Sequence, residues 1–151
     1  MTNEVQLVMV DNERAILVDQ QIEELQKITD YEIKEWPIGV LVEKFTSGRE
    51  KDESEIFIPD YQRDMVWTPK QQSRFIESIL IKLPVPFIFA ADVGQGDREG
   101  ALEIIDGSQR IRTLDNFLSN KLELVGLKKL KQAVGMRFSD LSKPRQMRFK
   151  R

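Results

Sequence analysis

A strand and a helix lie only five residues apart in the second half of this chain, and neither an all-helical nor an all-β architecture accommodates that change of period. Leu102, Ile104 and Ile105 read as a strand, and Ile111, Leu114 and Leu118 share one face of a helix. Between them stands Asp106-Gly107-Ser108-Gln109-Arg110, in which Gly107 permits the tight turn the junction needs. A second helix is marked as clearly. Thr68-Pro69-Lys70-Gln71 has the form of a capping box with proline at the first helical position. Phe75, Ile76, Ile79, Leu80 and Leu83 then line one face until Pro84 stops it. A third helix follows Pro37, placed as its first residue, with Ile38, Leu41, Val42 and Phe45 in helical phase and Gly48 as its stop.

Other segments are less sharply patterned. Residues 4–10 are apolar enough for a short strand, and about 12–29 carry a weaker helical pattern through Val18, Ile22 and Leu25. The polar stretch Arg49 to Glu55 reads as a loop. A strand through Ile56, Phe57 and Ile58 runs into Pro59 and an irregular segment to Trp67. Phe87-Ile88-Phe89-Ala90-Ala91 is a continuous apolar run suited to a buried strand. Asp92 to Gly100, with three glycines, reads as an exposed connection. Leu122 to Val125 suggests a short strand, Leu127, Leu130 and Val134 a helix, and Phe138 and Leu141 a further anchor. The fold class is α+β, with a small sheet and three or four helices. At 151 residues the chain suits one domain that buries roughly two thirds of its unfolded surface.

What the chain lacks narrows its chemistry. It contains no histidine, which excludes a Ser-His-Asp triad, a Cys-His pair and a histidine-centred nuclease. With no cysteine either, it builds neither a disulfide framework nor the usual structural zinc site. Catalysis here must rest on Asp, Glu, Lys, Arg, Tyr or Ser, with oxygen-bound magnesium as the fitting metal. No window approaches the ~18 consecutive apolar residues of a membrane span, and no signal-peptide core follows the acidic N-terminus, so the expected location is cytoplasmic.

The net charge of −2 conceals a polarity along the chain. Residues 1–60 hold 15 acidic and 6 basic side chains, whereas residues 127–151 hold one acid, Asp140, and nine bases. That basic segment suits contact with nucleic-acid phosphates or a partner's acidic surface; the plainer alternative is a solvated helix face. The chain ends in a basic run without a helix stop, which reads as the start of a truncated continuation.

Two motifs carry chemistry. In the first, the free N–H groups of a helix that opens after Gly107 point at one spot, with the dipole's positive end behind them. Gly107 leaves room for an anion, and Arg110, one turn in, can add a bidentate phosphate contact, so the set forms a phosphate cradle. The alternative is that Asp106 or Ser108 caps the helix while Arg110 pairs with Glu103 or another carboxylate. In the second motif, Ile58-Pro59-Asp60-Tyr61-Gln62-Arg63 with Trp67 places polar and aromatic groups past a strand end. Arg63 suits phosphate, Gln62 a base or ribose edge, and Tyr61 or Trp67 a stacking surface; alternatively the aromatics are core and Arg63 a surface ion pair.

Taken in order, Ile58-Pro59-x-Tyr61-Gln62-Arg63-x-x-x-Trp67, Glu77-Ser78-Ile79-Leu80, Pro84-Val85-Pro86, Ile105-Asp106-Gly107-Ser108-Gln109-Arg110 and Thr113-Leu114 resemble the N-terminal domain of GmrSD-type modification-dependent restriction enzymes. The resemblance covers roughly Trp36 to Leu141. It implies a ParB/sulfiredoxin-like fold, without sulfiredoxin's chemistry, which needs a cysteine. It implies that Asp106, Gly107, Gln109 and Arg110, with Gln62 and Arg63, line a nucleotide pocket. Tyr61 and Ser108 complete the expected cofactor-binding set, with Asp106 and Arg110 as the catalytic pair. The expected cofactors are a nucleoside triphosphate (GTP, ATP or another) and Mg²⁺ at Asp106. The family usually carries Gln where this chain has Ser108, a shorter side chain that alters reach toward the nucleotide.

The implied role is a sensor module that binds or hydrolyses nucleoside triphosphate in a modification-dependent DNA restriction or anti-phage system, acting on DNA through a separate histidine-containing nuclease domain or partner protein. Residues 1–35 then form an acidic extension, 36–141 the domain and 142–151 a basic tail. Two further readings stay open: a ParB-like DNA-binding module using the basic tail and Arg63, and a protein-interaction scaffold without nucleotide chemistry.

Overall fold

A computed structural model describes residues 2–28, 31–62 and 64–151. The chain divides into two compact units, residues 1–35 and 36–151. The first unit contains one long helix, α1 (Thr2–Ile28), whose residues 11–26 are all exposed. It takes up residues 4–10, which are helical and not the expected strand. No glycine or proline precedes Pro37, so nothing in the backbone chemistry interrupts the helix at residue 11.

The second unit is α+β. Its helices are α2 (Ile38–Thr46), α3 (Pro69–Leu80), α4 (Ser108–Leu118) and α5 (Lys143–Lys150). Its strands are β1 (Ile56–Phe57), β2 (Phe89–Asp92) and β3 (Leu102–Asp106), in the order β1-β3-β2. β1 runs parallel to β3 and β2 antiparallel to it, which makes the small sheet mixed.

Local chemistry accounts for most boundaries. Thr68 and Gln71 form both halves of the expected capping box. Pro37 is the N-cap of α2, one position earlier than its expected place as the first helical residue, because its ψ of 145° is extended. α3 ends at Leu80, earlier than Pro84 would require. Lys82 adopts φ 60°, and the N–H groups of Lys82 and Leu83 close onto the carbonyls of Ile79 and Ser78 in a Schellman motif, leaving Leu83 exposed outside the helix. α4 ends the same way, through Asn120 at φ 67°.

The largest core cluster joins Val42, Phe75, Ile76, Leu114, Phe117, Leu122, Leu124, Leu127, Phe138 and Phe149. Phe117 meets Phe138 and Phe149 edge-on at 5.4 and 5.3 Å. The expected basic tail therefore contributes one side chain, Phe149, to the core. α5 packs against α2, where the backbone oxygen of Lys150 would lie 3.2 Å from a Cβ on Gly39, and Phe149 is buried. A second cluster, Phe45, Ile56, Ile58, Ile104 and Ile111, seals the sheet against α2 and α4.

Three other expectations need correction. The Phe87–Ala91 run is not buried; β2 is an edge strand, and only Ile88 of Phe87-Ile88-Phe89 packs on the core. Leu122 to Val125 forms no strand: Leu124 exchanges backbone bonds with Gly135 and Met136 only. Residues 127–134 contain one 3₁₀ turn, Lys131–Ala133, in place of a helix, because a buried carboxylate draws in the N–H groups that precede it. That carboxylate is Glu77, which accepts from the backbone of Lys128, Lys129 and Leu130 at 3.3, 3.0 and 2.9 Å.

Candidate functional site

The site is built where β3 passes into α4. β2 and β3 pair Phe89 with Asp106 and Ala90 with Ile104, so Ile105 is an extra residue in β3. Such a bulge bends the strand and re-aims the residues beyond it. Next along the chain is Gly107, at φ 105°, where an L side chain is strained. Space is tight too: a Cβ there would lie 3.0 Å from Ile88 and 3.1 Å from the Arg110 guanidinium, so those side chains would have to give by a few tenths of an ångström.

Gly107, which has no side chain, is the N-cap of α4, and among the described residues no side chain caps that helix. Neither Asp106 nor Ser108 takes the capping role, which leaves first-turn N–H groups open to another acceptor. Arg110 folds back over the turn. Its Nη2 donates to the Phe87 carbonyl at 2.9 Å and lies 3.6 Å from Asp106 Oδ2, while its Nε is buried without a partner. Its ionic partner is therefore Asp106, four residues away, and not Glu103. The Asp106 carboxylate is 69% exposed, against 13% for the Arg110 side chain. The pair thus presents a carboxylate to solvent and holds its cation behind it.

The second motif meets the first. Gln62, in a 3₁₀ turn at Asp60–Gln62, donates to the carbonyl of the bulged Ile105 at 3.3 Å. Gln109 makes a firmer tie. Its side-chain oxygen accepts the N–H groups of Val66 and Trp67 at 2.8 and 3.0 Å, and its amide nitrogen donates to the Asp64 carbonyl at 2.9 Å. Both ends of that amide serve the backbone of residues 64–67, so Gln109 fastens the site's wall. Arg63 lies outside the described residues. Tyr61 is exposed, whereas Trp67 packs edge-on against Phe75 at 5.7 Å as a core aromatic.

Several buried polar residues of α3, one of them behind the site's wall, escape a reading of the sequence. Gln72, buried on α3, donates to the Trp67 carbonyl at 3.0 Å and accepts from Asn116 at 3.3 Å. Ser73 and Glu77, also buried, hold Val125 and residues 128–130. A signal for them exists: Gln72 falls in phase with Phe75, Ile76 and Ile79, and Ser73 with Ile76, Glu77 and Leu80, so each stands on a face that turns inward. Burial raises the proton affinity of the Glu77 carboxyl, but the N–H groups of Leu130, Lys129 and Lys128, with the Lys129 charge, outweigh it and hold the pKa below its ordinary value.

An open groove of about 420 Å³ lies elsewhere, lined by Val40, Glu43, Lys44, Ser47, Gly48, Glu53 and Glu55, with Lys44 and Glu55 paired at 2.6 Å. Among the described residues no three carboxylates converge as a metal cage would require, and no helix is long and apolar enough to cross a membrane.

The corner thus combines an uncapped helix N-terminus, a cation and an exposed carboxylate, with a second segment fastened across it. Comparison with curated proteins and with solved structures found no match. Comparison with protein families matched the GmrSD restriction endonuclease N-terminal domain over residues 38–150, a span that includes every element from α2 to α5. The chain belongs to the GmrSD restriction endonuclease N-terminal domain family.

Proposed function

We propose that the β3–α4 corner binds the phosphates of a nucleoside triphosphate, and that its occupancy controls DNA cleavage by a histidine-containing nuclease domain in the same polypeptide or a partner. The observation that carries this reading is the uncapped start of α4 behind Gly107, with the Arg110 guanidinium folded over the same glycine. Free N–H groups, the positive end of the helix dipole and a fixed cation each favour phosphate. Membership of a restriction-enzyme domain family supplies the DNA context.

Asp106 is the residue here that fits a magnesium ion. It is a single exposed carboxylate, which would hold such an ion by one ligand. When bound, that ion neutralises phosphate charge and makes hydrolysis accessible. Asp106 would hold the ion, Arg110 would offset negative charge on the phosphates, and Gln109 keeps the 64–67 wall in place.

Calorimetric titration of GTP and of ATP, with and without Mg²⁺, tests the reading. The wild type is expected to bind one of them, and Arg110→Ala to lose measurable binding while its circular dichroism stays native. Unchanged affinity in that variant overturns the assignment. Hydrolysis, where present, is expected to stop with EDTA.

A further inference from the structure

Two aromatic rings stand bare beside this corner although their main chain is fixed to it. Phe87 is 65% exposed, yet its carbonyl accepts the Arg110 guanidinium at 2.9 Å. Phe89 is 56% exposed, yet it is the β-ladder partner of Asp106. Between them Ile88 turns inward against the second core cluster and the Gly107 turn. Phe87 and Phe89 thus stand on either side of an inward-facing Ile88, and apolar rings left in water on constrained backbone forgo the gain of burial. We propose that Phe87 and Phe89 form the platform on which the base of the nucleotide stacks while its phosphates occupy the start of α4.

This rests on the reading of the corner as a triphosphate site, and it names what distinguishes a nucleotide from bare polyphosphate there. Stacking needs a flat apolar face held rigid near the phosphate contacts. The ladder pairing of Phe89 with Asp106 puts the Phe89 backbone one residue from Gly107, and the Arg110–Phe87 bond ties the Phe87 backbone to the cation. Since every base offers a π-face, the platform supplies affinity for nucleotides as a class and leaves the choice of base to hydrogen-bonding groups.

The experiment compares GTP and ATP with inorganic tripolyphosphate, each titrated with Mg²⁺ into the full chain. The wild type is expected to bind one nucleotide tighter than tripolyphosphate by roughly tenfold or more. The double variant Phe87→Ala/Phe89→Ala is expected to bring nucleotide affinity down to that of tripolyphosphate, leaving tripolyphosphate affinity unchanged. Phe89→Trp restores the preference if stacking is its source, and it guards against misfolding of the double variant. Equal losses for nucleotide and tripolyphosphate, or unchanged nucleotide affinity, overturn the platform. So does a change of oligomeric state with nucleotide affinity intact, which would make the rings a protein contact. If the wild type binds neither ligand, the phosphate corner itself fails, and that outcome is distinct from loss of the base preference alone.

Discussion

The side-chain oxygen of Gln109 accepts the backbone N–H of Val66 at 2.8 Å, joining segments separated by 43 residues of sequence. One amide at the first turn of α4 thereby holds the loop that continues from Tyr61 and Gln62 beside Asp106 and Arg110. The wall of the corner and its floor are coupled through this residue.

Removing that amide is expected to cost more than one hydrogen bond. Gln109→Ala leaves the N–H groups of Val66 and Trp67 and the carbonyl of Asp64 to find water or go unpaired. A loss of about 1–3 kcal/mol is expected, since unsatisfied groups cost more than a typical bond contributes. Urea denaturation measures the loss, and hydrogen exchange should show faster exchange at Val66 and Trp67 than at α3. An unaltered exchange pattern would show that the loop is held by something else.

Gly107 is expected to tolerate no side chain. Gly107→Ala must place a Cβ at φ 105° and 3.0 Å from Ile88. Strain of roughly 1–2 kcal/mol from the left-handed backbone adds to displacement of Ile88 or of the Arg110 guanidinium. The midpoint of thermal unfolding should fall; a variant as stable as the wild type would contradict the geometry of the turn.

Glu77 is expected to make stability depend on pH in the acid range. Its carboxyl is held below its ordinary value by three backbone N–H groups, despite burial. A lowered folded pKa adds stability that is fully present above the unfolded value, roughly 4.3, and fades as pH falls toward the folded value. Glu77→Gln should therefore be less stable than the wild type at neutral pH, with the gap narrowing below about pH 4. Glu77→Ala is expected to lose about 3 kcal/mol or more at neutral pH, because buried N–H groups are left without a carboxylate. Parallel stability curves for wild type and Glu77→Gln across that range would exclude this role.

The last helix is expected to behave as core. Phe149→Ala removes a ring that packs on Phe117 and Phe138, and truncation of a buried phenylalanine costs about 3–5 kcal/mol. Deleting residues 143–151 should destabilise the whole second unit. Were the deletion variant to unfold at the same urea midpoint, the packing of α5 would be refuted.

Where local chemistry decides, the sequence was legible. The Thr68/Gln71 box, the apolar phases of α2, α3 and α4, and the strand-to-helix passage at Asp106-Gly107 all obey short-range rules that need no partner. It was misleading where burial depends on what lies opposite. An apolar run such as Phe87–Ala91 has the same composition whether its strand is central or at an edge. A lone Phe149 among lysines and arginines gives no period, though the fold places it in the core. Schellman closures at Lys82 and Asn120 likewise depend on residues in left-handed backbone that are not glycine.

The amino-acid order on its own therefore determined the α+β class, the principal helices, the absence of histidine- and cysteine-based chemistry, and the two motifs that belong together. Those properties depend on side-chain type and spacing along the chain. Only the tertiary structure decided how the members of those motifs are oriented and paired. It turned Gln109 onto a loop, left α4 uncapped, set Asp106 in front of Arg110 and exposed two phenylalanines beside them. Orientation and exposure are properties of contacts between distant segments, and no spacing rule along one chain encodes them.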